Sequence, residues 1–228
     1  VVFGQVLQAG VGQAPARQAA IYASLPSSVG AVTVHKVCGS GMRAIMDAGN
    51  GIRAGEWGAA VAGGMESMSN APHLLERSRL GFRMGEIRLS DSMIKDGLSD
   101  PYGDKHMGQC AELAAQRYAL NREAQDAYAL ESYRRAQRAW EKNWFQKEVL
   151  AVAVPRGKPE AVTVERDEEP YAAPLEKMPK LKPAFETHGT ITAANASKLS
   201  DGAAALVLVG SQQLHDLGLK PLARIVAW

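Results

Sequence analysis

Cys38 lies in Val34-His35-Lys36-Val37-Cys38-Gly39-Ser40-Gly41-Met42, where β-branched residues give way to small ones and then to a helical pattern. Val32, Val34 and Val37 read as strand, whereas Met42, Ile45, Met46, Gly49 and Ile52 recur at helical spacing. A cysteine at that seam stands at a helix N-terminus, where unpaired backbone N–H groups favour an anion. Thiols so placed shift toward the thiolate, the nucleophilic form. Gly39 and Gly41 leave room for a substrate carbonyl to approach, with backbone donors nearby to hold an oxyanion. The implied chemistry is covalent attack by sulfur on a carbonyl carbon. Taken alone, these residues leave a second reading equally open, because a lone cysteine is usually a small buried hydrophobe.

The elements around this seam read strand, helix, strand, helix, strand. Residues 1–7 form a strand, and Pro15 at a first helical position opens a helix towards Leu25. Residues 32–37 and the helix after them come next, followed by a short buried strand at 58–62. This alternation predicts an α/β layered domain with a mixed or parallel sheet. Residues 70–187 differ: a basic, glycine-punctuated excursion at 77–88, then helices at 107–120 and 121–142 with Asn121 as N-cap. Strands at 149–154 and 161–165 flank Arg156-Gly157-Lys158-Pro159, a hairpin turn. The charged, proline-rich stretch 167–183 is expected at the surface. The α/β pattern returns with a strand at 203–209 and a helix capped by Ser211 and closed by Gly218.

Bulk properties narrow the class. The 228 residues are 46% hydrophobic and 22% charged, ordinary for a globular protein with a sizeable core. A formal net charge of +2 gives no reason to invoke nucleic acid or a membrane surface. Two cysteines far apart suggest a reducing compartment, here the cytoplasm, instead of a disulfide framework. No apolar run approaches the ~18 residues of a membrane span. Val1 begins inside a strand-like run, and residues 222–228 form another that stops without a turn, so the sequence reads as a partial chain.

Two stretches together point to a family. Lys36-Val37-Cys38-Gly39-Ser40-Gly41, followed by Ala62-Gly63-Gly64-Met65-Glu66-Ser67-Met68-Ser69, resembles the thiolases in motif, order and separation. Residues 10–20, Lys95-Asp96-Gly97-Leu98, His106-Met107-Gly108, Thr192-Ala193-Ala194-Asn195-Ala196-Ser197 and Asp201-Gly202-Ala203-Ala204-Ala205 extend the resemblance over essentially the whole chain. It implies a first thiolase domain at 1–69 and 188–220, an inserted α+β loop domain at 70–187, and only the first strand of a second α/β domain at 221–228. That second domain is otherwise almost entirely absent.

The resemblance also implies roles. Cys38 would attack an acyl-CoA and become an acyl-thioester, with its backbone N–H helping to hold an oxyanion. His106 and Met107 would line the pocket for the pantetheine arm and a short acyl group, although a lone histidine before a helix also reads as a cap. The His-Met-Gly triplet resembles the short-chain, acetoacetyl-CoA-type thiolases, whose reaction is the reversible condensation of two acetyl-CoA to acetoacetyl-CoA and CoA. Leu98, Lys177, Phe185, Ala193, Ser197 and Leu199 match positions that contact CoA. Tyr133, Ala193, Ala194 and Ala196 match positions that hold a potassium ion in some short-chain members. The segment 74–89 matches the region that builds tetramers, so a homo-oligomer, dimer or tetramer, is the implied assembly.

There are departures from the pattern. Glu168-Glu169-Pro170 lacks the arginine that usually follows the acidic pair and would grip the CoA nucleotide. Lys198 stands where a glycine or small residue is usual. The Gly-His-Pro histidine, the Asn-Glu-Ala-Phe asparagine and the second glycine-flanked cysteine of thiolases are not among these 228 residues. Cys110 sits in a helical pattern and reads as a buried, inert thiol. Proton-transfer catalysis typically contributes ~10²–10⁴-fold, so full turnover is not expected of these residues alone. Three other readings compete: a degradative 3-ketoacyl-CoA thiolase, a non-catalytic CoA-binding or subunit-association protein, and a redox-sensing cysteine protein.

Overall fold

The computed structural model describes residues 1–155, 161–172 and 175–228. The chain forms two compact units, Val1–Pro101 with Leu199–Trp228, and Tyr102–Lys198. The units change over at 101/102 and 198/199, later on both sides than the composition shifts at 69/70 and 187/188.

The first unit is built on a four-stranded mixed sheet. Strand β1 (Val2–Gly4) pairs in parallel with β2 (Val32–Val34) and with β3 (Ala59–Ser67), and the strand Asp201–Val209 adds antiparallel to β3 along its whole length. Helix α1 (Pro15–Tyr22) starts at Pro15, whose missing N–H costs nothing at a helix start. Helix α2 (Ser40–Arg53) packs on β1 and β3. Val2, Ala44, Ala48, Ala62 and Leu208 form the core between helix and sheet, and such small residues let the helix approach closely. Trp57 closes the far end: its indole N–H donates to the Ala48 carbonyl at 3.1 Å, and its ring fills the space a Cβ on Gly51 would take.

Several expectations shift here. β2 ends at Val34 because Val37 adopts a left-handed backbone, with φ of 47°, and cannot extend a strand. β3 runs on to Ser67, well beyond the expected end at Ala62, because Asp201–Val209 supplies a partner for all nine residues. The last helix, Ser211–Asp216, takes Gly210 as N-cap, with Ser211 already helical. Residues 222–228 carry no strand, since no described neighbour pairs with their backbone. Instead Trp228 lies against Gly49 of α2, under the Arg53 guanidinium 4.0 Å from its ring centroid.

In the second unit, α3 (Met107–Arg117) and α4 (Arg122–Glu141) are the two expected helices, and the Asn121 side chain caps α4 by accepting the Ala124 N–H at 2.9 Å. Strands Val152–Val154 and Val162–Val164 pair antiparallel, while the turn expected at 156–159 lies outside the described residues. The stretch expected wholly at the surface is not so: Pro170 and Met178 are buried. Arg122 of α4 draws in the chain around Met178, donating to the Met178 carbonyl at 2.7 Å and the Leu181 carbonyl at 3.1 Å.

Candidate active site

Cys38 is exposed, one residue before Gly39, the N-cap of α2. Local bonds close the turn that presents it. The Ser40 hydroxyl accepts the Lys36 N–H at 2.8 Å and donates to the Val37 carbonyl at 2.6 Å. Backbone bonds run from Gly39 to Lys36 and from Ser40 to Val37, both at 3.0 Å. His35 Nδ1 accepts the Val37 N–H at 3.2 Å. Together these hold Val37 at its positive φ, a conformation β-branched residues rarely tolerate and one that collects at functional sites. The result is a tight, over-determined turn that aims a thiol outward at a helix start.

Glycine makes that placement sterically feasible. A Cβ on Gly4 would lie 2.4 Å from the Ser40 carbonyl carbon, and one on Gly64 would lie 3.4 Å from the Gly41 Cα. The first turn of α2 therefore rests directly on the backbones of β1 and β3. Glu66, two residues beyond Gly64, fixes the exit from β1 by accepting the Val6 and Leu7 N–H groups at 2.9 and 3.0 Å. Leu98 is half-buried in the helical turn Met93–Leu98, whose Gly97 abuts Leu7. Leu199 is exposed. At the end of β3, Asp201 accepts the Ser69 hydroxyl and its N–H, and those bonds hold its carboxyl below the usual carboxylate range.

The second unit gathers most of the other candidates. His106 is the N-cap of α3: its Nδ1 accepts the Gly108 N–H at 3.0 Å, and Gln109 Oε1 accepts the His106 N–H at 3.0 Å. Its ring stacks on Phe185 with centroids 5.0 Å apart. Phe185 lies so close over Gly108 that a Cβ there would come within 2.3 Å of the ring. His106 is thus both cap and aromatic wall, and Met107 beside it is exposed. Lys177 is exposed in the 3-10 turn Leu175–Lys180 and is not brought to this cluster by any described contact. Cys110 is half-buried within α3, less enclosed than expected, because the face α3 buries runs through Gly108, Glu112 and Ala115.

The loop at 190–198 is wired by side chains that sequence reading missed. The Glu112 carboxylate accepts the Thr190 N–H and hydroxyl and the Ile191 N–H, at 2.8 to 3.0 Å. Burial pushes its carboxyl up, but the bonds from Ile191 and Thr190 outweigh burial and leave it below the ordinary range. Asn195 accepts the Thr192 N–H at 2.7 Å and donates to Asp126 at 2.9 Å, and Asp126 is paired with Arg122 at 2.7 Å. The signal for Glu112 was its alignment with Gly108 and Ala115, an acid on the inward face of a helix. Ala194, Ala196 and Ser197 line a cavity of about 720 Å³ together with Tyr133, Glu169 and Lys198. The Lys198 ammonium donates to the Ala193 carbonyl and pairs with Glu169 at 3.2 Å. Among the described residues no three His, Cys, Asp or Glu side chains gather as metal ligands, and no helix is long and apolar enough to cross a membrane.

Comparison with known proteins agrees with the fold. Residues 1–212 match the thiolase N-terminal domain. An acetyl-CoA acetyltransferase of Cupriavidus necator is 51% identical over 229 residues, which cover 100% of this chain and 58% of that protein. A cytosolic acetyl-CoA acetyltransferase of Gibberella zeae is 49% identical, with the same coverage of both. The crystal structure of Acat5 thiolase from Ascaris suum in complex with coenzyme A superposes with a TM-score of 0.89 at 44% identity, covering 96% of this chain and 56% of that one. The chain thus spans somewhat over half the length of the relatives it matches.

Proposed function

This chain belongs to the thiolase family, and from that premise we propose that the complete protein is an acetyl-CoA acetyltransferase with Cys38 as its nucleophile. The observation that supports the role most is the left-handed turn at Val37, which presents an exposed thiol at the start of α2 over a glycine floor. In the first half-reaction the Cys38 thiolate adds to the thioester carbonyl of acetyl-CoA. The Cys38 sulfur–carbon bond forms, the bond to the CoA sulfur breaks, and CoA leaves as a thiolate that takes up a proton. In the second, the deprotonated α-carbon of another acetyl-CoA attacks the acetyl group. A carbon–carbon bond forms and the Cys38 thiolate departs, giving acetoacetyl-CoA. A soft thiolate suits both halves, because it is a good nucleophile and a good leaving group. Reversal is thiolysis of acetoacetyl-CoA by CoA.

In this reading His106, Met107 and Phe185 form a wall for the pantetheine arm, with Leu98, Lys177, Ala193, Ser197 and Leu199 as further CoA contacts. The short-chain preference is supported by the names of the Cupriavidus and Gibberella relatives, and CoA as ligand by the Ascaris complex. The first thiolase domain would comprise residues 1–69 and 188–220 around a loop domain at 70–187, with 221–228 opening the second domain; the compact units divide later on both sides, at 101/102 and 198/199. A homo-oligomer is part of the proposal: Leu80, Phe82, Met84, Ile87 and Leu89 expose apolar surface along 74–89, as an assembly segment would.

The test is CoA-dependent cleavage of acetoacetyl-CoA by the full-length protein, set against a long-chain 3-ketoacyl-CoA. The expected result is faster turnover of acetoacetyl-CoA, lost in Cys38→Ser. A preference for the long chain, or activity that survives Cys38→Ser, would overturn the reading.

A further inference from the structure

The resemblance implies a potassium ion held by Tyr133 and by Ala193, Ala194 and Ala196, and the residues present do not fit one. The side chain of Lys198 returns five residues along the loop so that its ammonium donates to the Ala193 carbonyl, one of the groups in that set. The same ammonium pairs with Glu169 Oε1 at 3.2 Å and lies 5.9 Å from the centroid of the Tyr133 ring. Tyr133, Glu169, Ala194, Ala196 and Lys198 all line one cavity. We propose that the Lys198 ammonium is a built-in cation standing in for the monovalent metal ion, so that the 193–198 loop is ordered by the chain's own charge and needs no potassium.

The chemistry of the two cations supports the exchange. An ammonium and a potassium ion carry the same charge, are of similar size and take the same partners, carbonyl, carboxylate and phenol oxygens. The ammonium brings its charge tethered, so no ion has to be captured from solution, and a second cation beside it would be repelled. Glu169 balances the charge locally. Burial works against protonation of Lys198, but the Tyr133 phenol and the Glu169 carboxylate more than offset it and hold the group above the ordinary lysine value. The Tyr133 hydroxyl is near enough to favour that charge, yet it is buried and makes no hydrogen bond of ordinary geometry among the described residues. It is therefore the oxygen at which a competing metal ion would show. The inference concerns this loop alone and does not depend on the acyl-transfer reading.

Two measurements test it on the full-length protein and on Lys198→Ala. The first is thermal unfolding in potassium, sodium and choline chloride at matched ionic strength. The second is anomalous scattering from crystals grown in rubidium chloride, rubidium serving as the potassium probe. The wild-type protein is expected to melt at one temperature in all three salts and to show no rubidium beside Tyr133. Lys198→Ala is expected to melt about 2–4 °C lower in choline, to recover that loss saturably in potassium, and to bind rubidium there. Should Lys198→Ala fail to fold, Lys198→Gln, which removes the charge and keeps an N–H donor, takes its place. Potassium-specific stabilisation or bound rubidium in the wild type would overturn the proposal, and so would a foldable variant indifferent to potassium.

Discussion

The turn at 35–41 and the loop at 190–198 both hold irregular backbone in place, by opposite means. The first is fixed by bonds among residues within five positions of each other and by the absence of side chains beneath it, at Gly4, Gly41 and Gly64. The second is fixed by side chains that reach across dozens of residues, Glu112 to Thr190 and Ile191, and Asp126 to Asn195. A turn made of backbone and glycine leaves the Cys38 thiol exposed, as the proposed nucleophile requires. A loop wired by buried carboxylates trades that openness for fixed carbonyls, as the proposed binding wall requires.

If that contrast is right, the glycine floor should tolerate no added carbon. Gly4→Ala would place a Cβ 2.4 Å from the Ser40 carbonyl carbon in the first turn of α2, where neither backbone can yield. Chemical denaturation should show a loss of about 3 kcal/mol or more. A loss below about 1 kcal/mol would mean that the floor is not a steric requirement.

The wired loop should fail through unsatisfied donors instead. Glu112 is only 6% exposed, and Glu112→Ala strands the N–H groups of Thr190 and Ile191. The expected loss is about 2 kcal/mol, at the lower part of the range for buried donors to a charged acceptor. Because the folded-state pKa of Glu112 is lowered from 4.5, its stabilisation is fully present above that value and is lost as pH falls through the lower folded value. Glu112→Gln should flatten the acid limb of a stability–pH curve, and an unchanged limb would contradict the role assigned to this carboxylate.

Val37 separates the two mechanisms most finely. Its left-handed backbone stores strain of about 1–2 kcal/mol for an ordinary residue, which Val37→Gly should release, offset in part by the greater unfolded entropy of glycine. The expected net gain is up to about 1 kcal/mol in a denaturation experiment. A loss of stability would show that the Val37 side chain is needed for packing.

The legibility of the two regions in sequence follows from the same difference. The turn at 35–41 could be read because its determinants are adjacent: Cys38, Gly39, Ser40 and Gly41 announce a strand-to-helix seam within a few residues. Even so, the end of β2 at Val34 was not legible, since nothing in a valine signals a left-handed backbone. The full length of β3 was hidden too, because its continuation from Gly63 to Ser67 depends on a partner strand about 140 residues later. Glu66 lay in a recognised motif, but its task of gripping Val6 and Leu7 needs the fold to bring the two together. Glu112 shares the inward face of α3 with Gly108 and Ala115, but its partners, like that of Asp126, lie far along the chain and only the fold brings them together. Met178 was masked by the charges and prolines around it. Lys198 was visible as a departure from the family pattern, and its contacts with Glu169 and Ala193 turn that departure into a hypothesis about cations.

The most direct test of the account's central claim uses the chain's own second thiol as its control. The full-length protein would be mixed with acetyl-CoA, quenched in acid and digested, and the peptides containing Cys38 and Cys110 weighed by mass spectrometry. An acetyl group on the Cys38 peptide, with Cys110 unmodified, is the predicted result. Acetylation of both thiols alike, or of neither, would contradict the assignment of the Val37 turn as the device that makes Cys38 a nucleophile.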